Sequence, residues 1–156
     1  MGMTEYEKAR ELIRSNAKAA HFAGARPETL IQTAEAALSL HFSPSYRAFL
    51  RDFGAGNFGS FEVYGLIDDD FENSSVPDAI WFTLTERREA GLPSELLVIG
   101  DAGTGELYCL RTAKDDADGC VILLDTGSPA PLDQCEQISV DFGCYLLEHV
   151  ERQLRR

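Results

Sequence analysis

Residues 42–66 run Phe42-Ser43-Pro44-Ser45-Tyr46-Arg47-Ala48-Phe49-Leu50-Arg51-Asp52-Phe53, then Gly54-Ala55-Gly56-Asn57-Phe58-Gly59-Ser60, then Phe61-Glu62-Val63-Tyr64-Gly65-Leu66. The way this stretch is parsed decides the fold. Ser43 followed by Pro44 is a helix start: the serine side chain accepts an orphan amide, and proline suits the first helical position. Tyr46, Phe49, Leu50 and Phe53 then mark one buried stripe, and Gly54 is a good terminator. The next six residues fit G-x-G-x-x-G, the dinucleotide fingerprint. That fingerprint must follow a strand and open a helix, so that the helix N-terminus faces the pyrophosphate. Here a helix precedes the glycines and a strand, Phe61 to Val63, follows them. The glycines therefore cap a helix and give a tight entry into a strand.

Upstream, Tyr6, Ala9, Ile13, Ala17 and Ala20 predict an amphipathic helix over residues 4–20. Gly24 and Pro27 break it. Leu30, Ile31, Ala34, Ala37 and Leu38 mark a second helix to about Leu40, with Pro27 and Glu28 in favourable first-turn positions. Downstream, Asp68 to Ser75 is a polar, acidic loop. Val76 to Arg88 suits a helix better than a strand and ends at Gly91-Leu92-Pro93. Leu96 to Ile99, Glu106 to Leu110 and Val121 to Leu124 read as strands, the first two joined by the turn at Gly100, Gly103 and Gly105. Gln134 to Val140 is a last short strand. Asp141 opens a terminal helix carrying Phe142, Tyr145, Leu146, His149 and Val150 on one face, and the closing arginines suit its C-terminal dipole. Helices at both ends with strands between them indicate an α+β fold with a mostly antiparallel sheet.

The chain has 156 residues, enough for one well-buried domain. No apolar run approaches a membrane span, and the N-terminus has no apolar signal core, so the expected location is the cytoplasm. Four cysteines, Cys109, Cys120, Cys135 and Cys144, lack the short spacings of a zinc site, and are expected to be reduced and buried as small hydrophobes. The net charge is −12 and is unevenly spread. Through Arg51 there are seven bases against five acids; from Asp52 to Glu151 there are 21 acids against four bases, a local balance of −17. Such a body disfavours nucleic acid as a partner, since phosphate contacts need Lys and Arg. It favours steered encounter with a basic partner, although solubility alone also accounts for it.

Catalysis finds little support. His21, His41 and His149 are far apart and in no metal-ligand spacing, and no G-x-S-x-G elbow is present. Neither the Asp101 to Glu106 turn nor Asp115-Asp116-Ala117-Asp118-Gly119 reproduces the alternating acids and central glycine of a calcium loop. Catalytic residues, metal ligands and cofactor are accordingly each expected to be none. The acids with the best claim to a role are Asp68, Asp69, Asp70 and Glu72, with Asp115, Asp116 and Asp118, although a charge run on a loop is ordinarily just a solvated surface.

With these residues placed, the chain resembles the SUKH superfamily, whose founding members include the fungal Smi/Knr cell-wall regulators. The resemblance starts near Ile31, Ala34-Glu35 and Leu38 and runs through Ser43-Pro44-Ser45-Tyr46-Arg47-Ala48-Phe49-Leu50. It resumes at Phe61 to Leu66 and at Leu97-Val98-Ile99-Gly100 with Gly103, Gly105 and Tyr108, and ends at Asp141-Phe142 and Leu146-Leu147. Two departures stand out: Ser43 replaces the proline of the family's Leu-Pro pair, with Pro44 following, and Glu106 replaces an aspartate after the last glycine. The resemblance implies a single α+β domain, a mixed, mostly antiparallel sheet flanked by N- and C-terminal helices. Residues 27–156 would form it, with residues 1–26 as an N-terminal helix and linker packed onto the same unit. It also implies no enzymatic activity. Bacterial domains of this kind look like immunity proteins that neutralise a toxin, commonly a nuclease, by stoichiometric binding. The implied partner is a basic toxin domain, with no nucleic acid and no membrane. The alternative is an intracellular regulatory or scaffold module of the Smi/Knr type, and a small-molecule enzyme comes third.

Overall fold

The computed structural model describes residues 2–112, 119–127 and 131–156. Along these the elements are α1 (Gly2–Ser15), β1 (Ala20–Phe22), α2 (Glu28–Leu38), α3 (Pro44–Asp52), β2 (Gly56–Phe58), β3 (Phe61–Val63), α4 (Ala79–Ala90), β4 (Leu96–Asp101), β5 (Glu106–Arg111), β6 (Val121–Asp125), β7 (Glu136–Ser139) and α5 (Phe142–Leu154). The α+β class holds. The strands form two sheets, β1-β2-β3 and β4-β5-β6-β7, and every strand pair in both is antiparallel. No helix among the described residues is long and apolar enough to cross a membrane.

The capping chemistry read from the sequence is in place. Ser43 Oγ accepts the Tyr46 amide at 3.4 Å, with Pro44 as the first residue of α3. Asp141 Oδ1 accepts the Cys144 amide at 2.8 Å and so starts α5. The stripe of α3 is buried against α5, where Tyr46 and Phe49 meet Phe142 with ring centroids 5.0 and 5.5 Å apart. Burial of each such ring contributes about 1.5–3 kcal/mol. Tyr46 is wholly buried and its hydroxyl donates to the Tyr64 carbonyl at 3.0 Å, tying α3 to the exit of β3.

The first helix is shorter than residues 4–20. Asn16 donates its side-chain amide to the Leu12 carbonyl at 2.8 Å, satisfying a last-turn acceptor where the chain leaves the helix. A 3-10 turn and strand β1 follow. β1 pairs with β2, which occupies the glycine block itself. Gly56 explains the glycine there: a Cβ would stand 2.2 Å from the His21 carbonyl oxygen and 2.7 Å from Phe22 Cα. The block is thus a helix stop at Gly54, a strand, and a hairpin turn at Gly59-Ser60 leading into β3.

The larger sheet is covered on both faces. Adjacent residues of a strand point to opposite faces: Tyr108 meets Tyr145 of α5 at 5.6 Å, whereas the Cys109 thiol lies on the side of Glu86 of α4. Thr83 of α4 reaches down to accept the Val98 amide at 3.0 Å. The two sheets meet where the Tyr64 amide donates to the Ile99 carbonyl at 2.9 Å. Gly103 and Gly105, both at positive φ (81° and 87°), make the β4–β5 turn, whereas Gly100, expected in the same turn, lies inside β4 opposite Tyr108.

Candidate functional site

Asp68, Asp69, Asp70 and Glu72 are all exposed, on the excursion between β3 and α4. The excursion is closed at its base. The Gly65 amide donates to the Pro77 carbonyl at 2.8 Å and the Ala79 amide to the Gly65 carbonyl at 2.7 Å, so the two ends lie side by side. Arg26 Nε adds a bond to the Leu66 carbonyl at 3.0 Å. A loop with pinned ends and a free middle is the Ω-loop arrangement. Inside it, Asp68 Oδ1 accepts the Asp70 amide at 3.0 Å and Asp70 Oδ1 accepts the Asn73 amide at 3.1 Å. These two carboxylates shape the turn, while Asp69 and Glu72 accept no hydrogen bond among the described residues. None of the four joins an ion pair there; the pairs elsewhere engage Asp52, Glu28, Glu35, Glu95 and Asp133. The loop ends at Asp78, which is wholly buried and whose Oδ1 accepts the Ile80 and Trp81 amides at 2.9 and 3.1 Å. Burial pushes the Asp78 carboxyl up from the ordinary aspartate value, against the opposing pull of those amides. Val76, 46% exposed, lies on the same excursion.

The remaining acids with a predicted role, Asp115, Asp116 and Asp118, lie outside the described residues.

A second feature escaped the reading of the sequence. A cleft of about 430 Å³ opens between the β3–β4–β5 edge and the last turns of α5. Four rings line it. Phe61 stacks on His149 at 4.4 Å and 8°, Tyr145 lies 4.6 Å from His149, and Tyr108 lies 5.6 Å from Tyr145. Glu62 and Asp101 stand on the sheet side, Arg152 and Arg156 on the helix side, all four exposed. Arg156 donates to Ser60 Oγ at 3.1 Å, and Gln153 Oε1 accepts the Ser60 amide at 3.0 Å, so the end of α5 is fastened to the β2–β3 turn. Burial first and the Arg152 charge second push His149 down to about 4, so its ring is neutral at physiological pH. Burial, with Glu62 and Asp101 adding to it, pushes the nearby Tyr64 hydroxyl up to about 12. The signal available in the sequence was the spacing of Tyr145, His149 and Arg152, which share one helix face.

The other candidates do not converge. His41 sits 3.4 Å from Glu35, His21 lies in β1, and His149 is in the ring cluster. Among the described residues no group of three or more His, Cys, Asp or Glu is placed to hold a metal ion. None of the four cysteines is in a disulfide among the described residues; Cys109 alone is buried, the other three being half-buried. Burial pushes Cys109 up to about 12, which removes it from nucleophilic chemistry.

A family model described as SMI1-KNR4 cell-wall (SUKH_5) matches residues 6–147, which spans the three-stranded sheet, the larger sheet and the start of α5. No curated protein matches the chain.

Proposed function

The chain belongs to the SMI1-KNR4 family of protein-interaction modules, and on that premise we propose that it is a cytoplasmic immunity protein that neutralises a basic toxin domain, of nuclease type, by stoichiometric binding. The observation that carries this reading is the acidic loop: four exposed carboxylates on a closed excursion, with none of them in an ion pair among the described residues. Exposed charges of one sign, not neutralised within the fold, attract a partner of opposite sign and accelerate its approach. A nuclease must carry a basic groove for its phosphodiester substrate, so a carboxylate loop is a complementary plug for it. Asp68 and Asp70 hold the loop's shape from within, leaving Asp69 and Glu72 to meet the partner. Asp115, Asp116 and Asp118 are proposed as a second acidic contact. Inhibition then needs no chemistry from this chain, because occupying the groove excludes the nucleic acid.

Co-expression with the toxin domain encoded by an adjacent reading frame tests the proposal. The expected result is rescue of growth and recovery of a one-to-one complex that weakens as salt is raised. Failure of rescue with no complex at low salt would overturn it. The cell-wall wording of the family description supports the second reading, a regulatory scaffold without a toxin. That reading expects a complex with a host protein and no protection from toxin.

A further inference from the structure

The cleft between the sheet edge and α5 sets two carboxylates against two guanidiniums across an aromatic floor, and they do not neutralise one another. None of the ion pairs among the described residues joins Glu62 or Asp101 to Arg152 or Arg156. Opposite charges that face one gap without closing it leave both sets able to accept a ligand charge. The gap is fixed from both sides. Asp101 Oδ1 accepts the Gly103 amide at 2.7 Å, which orients its carboxylate at the end of β4, and the Ser60 contacts hold the far wall. Its volume of about 430 Å³ lies at the low end of small-molecule sites. Below the floor is Gly100, where a Cβ would meet the Tyr108 ring at 3.5 Å and the Tyr145 hydroxyl at 3.6 Å. Strand geometry does not require glycine there, since its φ is not in the left-handed region.

We propose that this cleft binds a small zwitterion, a free α-amino acid with an aromatic or apolar side chain or a dipeptide of the same character. The ammonium group lies toward Glu62 and Asp101, the carboxylate toward Arg152, and the side chain on the Phe61, Tyr108 and His149 rings. Two charge-assisted contacts from opposite walls of the cleft fix the ligand's direction, and the rings supply the apolar surface. The neutral state of His149 leaves the charge balance of the cleft to the four ionic groups. This site is separate from the acidic loop, so its failure would leave the toxin-binding reading standing, and the reverse holds as well.

The test uses the full chain and three probes: L-phenylalanine, N-acetyl-L-phenylalanine, which lacks the ammonium charge, and L-phenylalanine amide, which lacks the carboxylate. Amide shifts in a nitrogen–proton spectrum are followed during titration. The expected result is saturable shifts at Phe61, Gly100, Asp101 and His149 with L-phenylalanine, and affinity about tenfold or more weaker for each one-charge analogue. Arg152→Gln should remove the preference for the free carboxylate, and Glu62→Gln with Asp101→Asn the preference for the free ammonium. These positions are exposed, and unchanged amide shifts outside the cleft verify that each variant is folded. Equal affinity for all three probes would overturn the proposal. So would shifts confined to other surfaces, or no saturable shift up to concentrations on the order of 10 mM.

Discussion

Asp78 is the joint between the acidic loop and α4, and its replacement separates two effects that ordinarily travel together. Its Oδ1 accepts the Ile80 and Trp81 amides at 2.9 and 3.1 Å, and the residue has no exposed surface. Asp78→Ala removes the cap and leaves amide donors without a partner. Losing the cap and stranding the Ile80 and Trp81 amides are one effect, expected to cost about 1–3 kcal/mol. At about 2–4 °C per kcal/mol for a chain of this size, Tm falls by roughly 2–12 °C. Asp78→Asn keeps the accepting oxygen and cannot ionise. The folded-state pKa of Asp78 is raised by burial, so its contribution to stability is fully present below the unfolded value and is lost as pH rises toward the folded one. Wild type is therefore penalised relative to Asp78→Asn above about pH 4, the ordinary aspartate range. Urea unfolding of the three proteins at several values between pH 4 and pH 8 is the assay. Asn should track wild type at the acid end and gain on it toward neutrality, while Ala stays low throughout. If Asn is as unstable as Ala at every pH, the acceptor role is wrong. If the gap between Asn and wild type moves against Asn as pH rises, burial does not govern the carboxyl.

Other substitutions read the packing directly. Tyr46→Phe deletes the bond to the Tyr64 carbonyl and should cost about 1–2 kcal/mol in urea unfolding without shifting the far-ultraviolet circular dichroism. Gly65→Ala places a Cβ 1.8 Å from the Gly54 carbonyl oxygen, a backbone atom, and should cost about 1–3 kcal/mol or more through overpacking. Gly103→Ala meets nothing within 4 Å and should cost only the left-handed penalty of about 1–2 kcal/mol. Iodoacetamide at pH 8, read by mass spectrometry, should leave Cys109 unmodified in the native protein and label it after unfolding, since burial holds its thiol near 12.

Much of the fold is legible in the sequence wherever a local rule acts on neighbouring residues. The Ser43 and Asp141 caps, the α3 stripe and the glycine turn after β4 depend on residues within one turn or one hairpin, and they stand where their patterns place them. What was not legible depends on partners distant in sequence. β1 is three residues long and is a strand because it lies against β2, with Gly56 permitting the approach. The acidic loop was visible as a charge run, but its closed base needs Gly65 beside Pro77 and Ala79, a pairing that no spacing announces. The cleft is the furthest case. Phe61, Tyr108 and His149 come from three elements, and only the fold brings their rings together.

The central claim is that the acidic loop meets a basic partner, and Asp69 and Glu72 test it without disturbing the loop, since neither accepts a hydrogen bond within it. The measurement is the stopped-flow association rate of the toxin domain from the adjacent reading frame with wild type and with the Asp69→Lys, Glu72→Lys double variant, across a range of salt. The account predicts association slowed about tenfold or more at low salt and a flatter salt dependence, with stability unchanged. Equal rates and equal salt slopes for the two proteins would contradict it.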